Sequence, residues 1–344
     1  MKLQHLISLS ILLLFLAGCG NLGVQIQVVP PPDATSTLQA SDLPTPATQA
    51  PTATSILLPT PTSAPVLLGG ASAILFSSNR GGNVQDLYLQ EFGSGQITRL
   101  TQGDSNNLAG PFSPNGKKIV FTGSGLTDSY VGVMNADGSD PVNLTNLPDV
   151  SDGFPAWSPD GSQIAFTSRR DGNNELYLMD PYGHNLKRLT NNTFDDYAPT
   201  WSPDGKQIAF VSDRDNSTGI YSIYIMNTAA SWVKRLTNDG GNDYSPEWSP
   251  DGSTIVFRSV LKGQFDIFTV SVDGGDPINL TNTPSSDEWS PSWSPDGSLI
   301  AFQTNRDGNW EIYTMNADGS DPVNLTNNPA DDQFPYWKPI LNSQ

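Results

Sequence analysis

Acidic and basic residues recur in this chain at fixed offsets from a repeated motif, and the chemistry their spacing allows is ion pairing or cation binding. Five residues before the aromatic of each copy of Trp-Ser-Pro-Asp-Gly, or its variants, stand Asn107, Asp152, Asp196, Asp243, Glu288 and Asp332. Four residues after the phenylalanine of a following Ile-x-Phe run stand Arg80, Gly125, Arg170, Arg214, Leu261 and Arg306. Taken repeat by repeat, Asp332 goes with Arg80, Asp152 with Arg170, Asp196 with Arg214 and Glu288 with Arg306. One repeat has lost both members and holds Asn107 and Gly125. Another keeps Asp243 but has Leu261, with Lys262 one step on. A carboxylate and a guanidinium at constant spacing suit bidentate pairs that fasten each repeat. The competing expectation is an acidic ring that takes a cation such as Ca2+, or a basic ligand. Phe154, Tyr197, Tyr244 and Trp289 accompany the ring, positioned either to face a ligand or to wedge between repeats.

The elements that must position these residues follow from the motif. Full copies begin at Trp157, Trp201, Trp248 and Trp293. A worn copy runs Phe112-Ser113-Pro114-Asn115-Gly116, and a truncated one, Trp337-Lys338-Pro339, closes the series. The aromatic positions are separated by 45, 44, 47, 45 and 44 residues, a period that marks a repeat architecture. After Trp201 come Gln207 to Val211, Ser222 to Met226 and Val233 to Thr237. Each is rich in β-branched and aromatic residues and bounded by turn formers. With the run before the tryptophan, each repeat has four strands. Pro-Asp-Gly turns the chain: proline presets φ, aspartate bonds nearby backbone, and glycine takes positive φ. Four short strands at this period predict a propeller blade. A helical solenoid is excluded because no window carries apolar residues at a 3.6 spacing.

The repeats start out of phase. Ala73 to Ser77 matches a second strand, and Asp86 to Gln90 and Gln96 to Thr101 match the third and fourth. The missing first strand stands at the other end, as Phe334-Pro335-Tyr336-Trp337. The expected fold is therefore all-β: a six-bladed propeller of four-stranded blades over residues 70–340, its ring closed by the C-terminal strand. Val66-Leu67-Leu68 is the alternative inner strand, but it lacks the aromatic and the turn. Met134 to Asn146 and Met315 to Asn327 are identical in sequence, which points to an internal duplication.

Residues 1–18, with Lys2 and an apolar run from Leu6 to Ala17, read as a lipoprotein signal peptide. The only cysteine, Cys19, follows Leu16-Ala17-Gly18, which resembles the bacterial lipobox. Cys19 is thus the expected lipidation site and membrane anchor. Residues 19–69, rich in Pro, Thr and Ser, read as a disordered tether. Acidic residues outnumber basic ones 35 to 17, and the net charge of −18 argues against a nucleic-acid partner.

The unit Pro-x-Trp-Ser-Pro-Asp-Gly, x-Ile-Ala-Phe, Ile-Tyr-x-Met, Leu-Thr resembles the TolB-like propeller repeat, an architectural relative of the WD-type repeat. The resemblance covers residues 71–339. It implies a six-bladed propeller in the cell envelope that binds another protein or a cell-wall-associated ligand. TolB carries an α/β domain before its propeller and is soluble in the periplasm, whereas a tether and an anchor stand here. TolB's own partners therefore do not carry over.

Catalysis finds little footing. Past the signal there is one histidine, His184, with no histidine or acid at a metal-ligand spacing, and it reads as a solvated turn residue. The Trp-Ser-Pro serines are equivalent turn residues, and there is no Gly-x-Ser-x-Gly elbow. The expected function is a non-enzymatic, monomeric binding propeller anchored on the extracytoplasmic side of the membrane. The alternative is a calcium-dependent propeller hydrolase that uses the acidic mouth.

Overall fold

In the computed structural model the described residues are 68–339, except 125–127, 216–218 and 262. The expected signal, Cys19 and nearly all of the tether lie outside them. Among the described residues, 24 strands form six four-stranded antiparallel sheets, the blades of a propeller. In five blades the strands follow one another in sequence order. In blade one the strand Asp332–Pro339 pairs with Ala71–Ser78 and takes the innermost place, with Ile74 opposite Trp337 and Ser78 opposite Asp332. The C-terminal strand thus closes the ring, which removes the open edge an incomplete blade would leave. Leu68 makes only an isolated bridge to Ala71 and is not an inner strand.

Each of the five motif copies that reach the glycine builds the same turn. In blade four, Ser202 Oγ donates to Asp204 Oδ1 at 2.7 Å, while the backbone N–H of Gln207 donates to Ser202 Oγ at 2.9 Å. Gly205 takes φ 69°, where a side chain would be strained. The tryptophan before the turn then points into the seam between blades. Trp201 packs with Ala165, Leu176 and Leu178 of blade three and with Ile208 and Phe210 of its own. Its Nε1 donates to the Ala156 carbonyl at 3.3 Å. Six such apolar clusters join neighbouring blades, including one across the closure that contains Ile74, Phe76, Ala301, Ile312 and Trp337. The core is therefore a ring of seams, and every blade relies on its neighbours for burial.

The innermost strands carry a bulge three residues before the motif aromatic. There Phe154, Ala198, Ser245, Ser290 and Phe334 adopt φ between 50° and 56°, rare for residues with a side chain. The bulge shifts the register between Tyr197 and Thr200, so Asp196 faces Ser212 while Trp201 still faces Ile208. Acid at one end and tryptophan at the other are thereby held in register with the second strand.

Candidate functional site

All six residues of the predicted ring stand at the same end of their innermost strands, where the loops between second and third strands also lie. Backbone bonds between blades fix them there. The N–H groups of Asn107, Asp196, Asp243 and Asp332 donate to the carbonyls of Gln85, Asn174, Tyr221 and Trp310 in the preceding blades, at 2.7 to 3.0 Å.

Four arginines meet their expected acids. Arg80 reaches Asp332 at 2.6 Å, Arg170 reaches Asp152 at 3.2 Å, Arg214 reaches Asp196 at 2.7 Å and Arg306 reaches Glu288 at 3.3 Å. The Nε of each also donates to a second-strand hydroxyl, from Ser78, Ser168, Ser212 or Thr304. Each guanidinium lies 4.8 to 5.6 Å from the ring centres of a second-strand phenylalanine and a third-strand tyrosine, Phe210 and Tyr224 in blade four. Sequence offsets pointed to the ion pair but not to these rings. The five acids are fully buried and Asn107 is 8% exposed. The acids are thus walled in behind their partners rather than set around an open rim.

Blades two and five depart from this pattern. Beside Asn107, a polar cleft of about 220 Å³ is lined by Ser105, Asp128, Ser129, Tyr130, Asn143 and Thr145. In blade five, Asp243 accepts from Thr237 Oγ1, and its Oδ1 has no hydrogen-bond partner among the described residues. Burial raises the Asp243 carboxyl to about 7. The side chain of Leu261, and Gly125 and Lys262 entirely, lie outside the described residues.

Two functional candidates escaped the sequence reading. Glu247, one residue before Trp248, accepts from the Trp293 N–H at 3.3 Å and from Ser292 Oγ at 3.4 Å. Burial raises its carboxyl to about 8, and its charge helps raise the Tyr336 phenol. Arg258 follows the second-strand phenylalanine of blade five and lies 4.4 Å from the Trp289 ring centre, 4.8 Å from Tyr244 and 4.9 Å from Phe265. Aligning the repeats shows both residues as oddities, each standing in a single blade, whereas the acid–arginine offsets recur in most.

Tyr197, Tyr244 and Trp289 belong to a continuous arc of rings. Centroid separations run 6.0 Å from Phe154 to Tyr197, 5.4 Å to Tyr221, 5.7 Å to Tyr244, 6.2 Å to Phe265, 5.3 Å to Trp289 and 4.9 Å to Trp310. Blades three to six supply all seven rings; Leu108, Gly153 and Gln333 hold the places equivalent to Tyr197 in blades two, three and one, and Phe334 of blade one holds that of Phe154. Every ring is partly or largely exposed. One side of the mouth is thus apolar and aromatic, which sixfold repetition alone would not produce.

Among the described residues no three His, Cys, Asp or Glu side chains converge as a metal site requires. His184 is exposed as expected, and Asp180 Oδ2 lies 3.7 Å from its Nδ1.

Residues 144–223 match the family described as the TolB beta propeller domain. A TolB homologue of Chlorobaculum tepidum is 36% identical over 119 residues, 34% of this chain and 26% of that protein. An uncharacterised protein of Agrobacterium fabrum is 32% identical over 114 residues, 31% of this chain and 39% of its own length. The chain thus spans well under half of these relatives. The crystal structure of TolB from Acinetobacter baumannii superposes with a TM-score of 0.67 at 25% identity, covering 78% of this chain and 67% of that one.

Proposed function

The chain carries a TolB-like six-bladed propeller, and from that premise we propose that it is a non-catalytic binding module of the bacterial cell envelope. Its partner is an envelope protein or a cell-wall-associated ligand, and docking occurs at the mouth bearing the aromatic arc. The observation that carries this reading is the asymmetry of that mouth. Repetition explains the four identical acid–arginine pairs, whereas seven partly exposed rings confined to blades three to six have no structural need to be accessible. Exposed aromatic clusters supply contact area at low entropic cost and recur at recognition surfaces.

Membrane attachment through Cys19, with residues 19–69 as tether, completes the proposal on sequence grounds. Two measurements test it. Cells producing Cys19→Ser should release the protein from the membrane fraction; retention equal to wild type rejects the anchor. Purified propeller should capture an envelope component that Trp310→Ala fails to capture while keeping its melting temperature. Equal capture by both proteins removes the arc as the docking surface.

A further inference from the structure

We propose that Arg258 receives the free C-terminal carboxylate of a polypeptide, whose terminal apolar side chain lies on the neighbouring rings. This rests on the binding reading above and names its ligand.

The argument begins with what the same position does elsewhere. Blades one to four and six hold Ser77, Thr122, Thr167, Val211 and Gln303 there. Three of these accept a backbone N–H from the next blade's bulge: Ser77 from Ala109 at 2.7 Å, Thr167 from Ala198 at 3.0 Å and Gln303 from Phe334 at 2.9 Å. Arginine has no acceptor, so Arg258 cannot do this work. Nor is it one of the arginine–acid latches. Among the described residues it forms no ion pair, and its Nε is buried without an acceptor. The four latch arginines, by contrast, all have a carboxylate and a hydroxyl. The charge of Asp287 acts on Arg258 without contact, and burial lowers the guanidinium to about 10.

Two more buried polar atoms, in blades four and six, lack partners. Tyr197 Oη is buried with no partner and feels the charge of Arg258. Gln303 Nε2, on the adjacent blade, is a buried donor with no acceptor. A desolvated donor left unmatched is costly, and a guanidinium fork matches a carboxylate in two parallel bonds. The missing component is therefore an anion.

Its class follows from charge and shape. A polyanion would meet a protein of net charge −18, and Arg258 alone among the described residues offers it a buried guanidinium nitrogen without an acceptor. A polypeptide end brings a single carboxylate with a side chain beside it. The rings of Tyr244, Phe265 and Trp289 around the cation suit an apolar or aromatic side chain.

The test uses the whole propeller and two libraries of octapeptides randomised at the last three residues, one ending in the free acid and one in the amide. The free-acid library should yield binders with apolar last residues, and amidation should weaken each at least tenfold. Arg258→Gln should abolish that preference, and Arg258→Lys should restore part of it. Equal binding of acid and amide, or no binder in either library, overturns the proposal. So does binding of glucuronate by a propeller that ignores the peptides, which would assign the site to an acidic sugar. The wild-type comparison needs no variant to fold. If Arg258→Gln keeps the captured envelope component while Trp310→Ala loses it, the docking surface stands and only the carboxylate assignment fails.

Discussion

Arg214 donates through Nη2 to both carboxylate oxygens of Asp196, at 2.7 and 2.8 Å, and the acid is fully buried. The guanidinium also stands 4.9 Å from the Phe210 ring centre and 5.1 Å from Tyr224. One side chain thereby ties the first, second and third strands of blade four together. Removing one partner strands a charge in a desolvated place, which costs about 3–5 kcal/mol for a buried pair. Arg214 is 18% exposed, so the lower part of that range is expected. Arg214→Ala and Asp196→Ala should each destabilise clearly, and the double variant should cost less than their sum. Coupling of roughly 0.5–3 kcal/mol in a denaturant double-mutant cycle is the expected result. Zero coupling would show that the pair does not act as a latch.

Trp201→Ala tests the seam. The indole is 8% exposed and bridges blades three and four. Large-to-small changes of this kind cost about 3–5 kcal/mol. The melting temperature should fall by many degrees, and a melt within error of wild type would place the residue outside the core.

Truncation after Asp331 tests closure. It removes the strand Asp332–Pro339, and with it the Arg80 partner and the seam tryptophan Trp337. Blade one would keep three strands and expose an unpaired edge, so aggregation or a greatly lowered melt is expected. Removing only residues 341–344 should leave the melt unchanged. Similar losses from both truncations would mean that the strand does not carry closure.

Glu247 predicts a pH dependence with a definite sign. Its carboxyl sits at about 8 in the folded protein instead of 4.5. Across that window the folded state holds a proton that the unfolded chain has released, so the stability it confers is full below 4.5 and lost as pH rises through 8. The slope is at most about 1.4 kcal/mol per pH unit. Asp243, raised from 3.8 to about 7, acts in the same direction over the lower part of the range. Unfolding measured from pH 4 to 9 should show wild type losing stability relative to Glu247→Gln as pH rises. Parallel curves would mean that the carboxyl titrates normally.

Blade number, strand order, closure through Trp337 and the four acid–arginine pairs were legible in the sequence, because repetition turns one physical solution into a pattern that can be counted. An aromatic at a period near 45, five times Trp and once Phe112, must pack into a seam in every blade, and an acid and an arginine at constant offsets must meet in every blade that has both. What stands in only one blade leaves no such trace. Arg258 and Glu247 are single letters in otherwise ordinary strands. Their surroundings come from other blades: Trp289 reaches Arg258 from blade six, and Tyr336 feels Glu247 from blade one. Burial is equally a property of the closed ring. The acids read as a rim from sequence and lie enclosed in the structure, because neighbouring blades and the arginines cover them. The aromatic arc likewise exists only once the inner strands and adjoining segments of blades three to six are brought side by side. Spacing within the chain determined the repeated scaffold, and contacts between blades, which no spacing encodes, decided where its symmetry is broken.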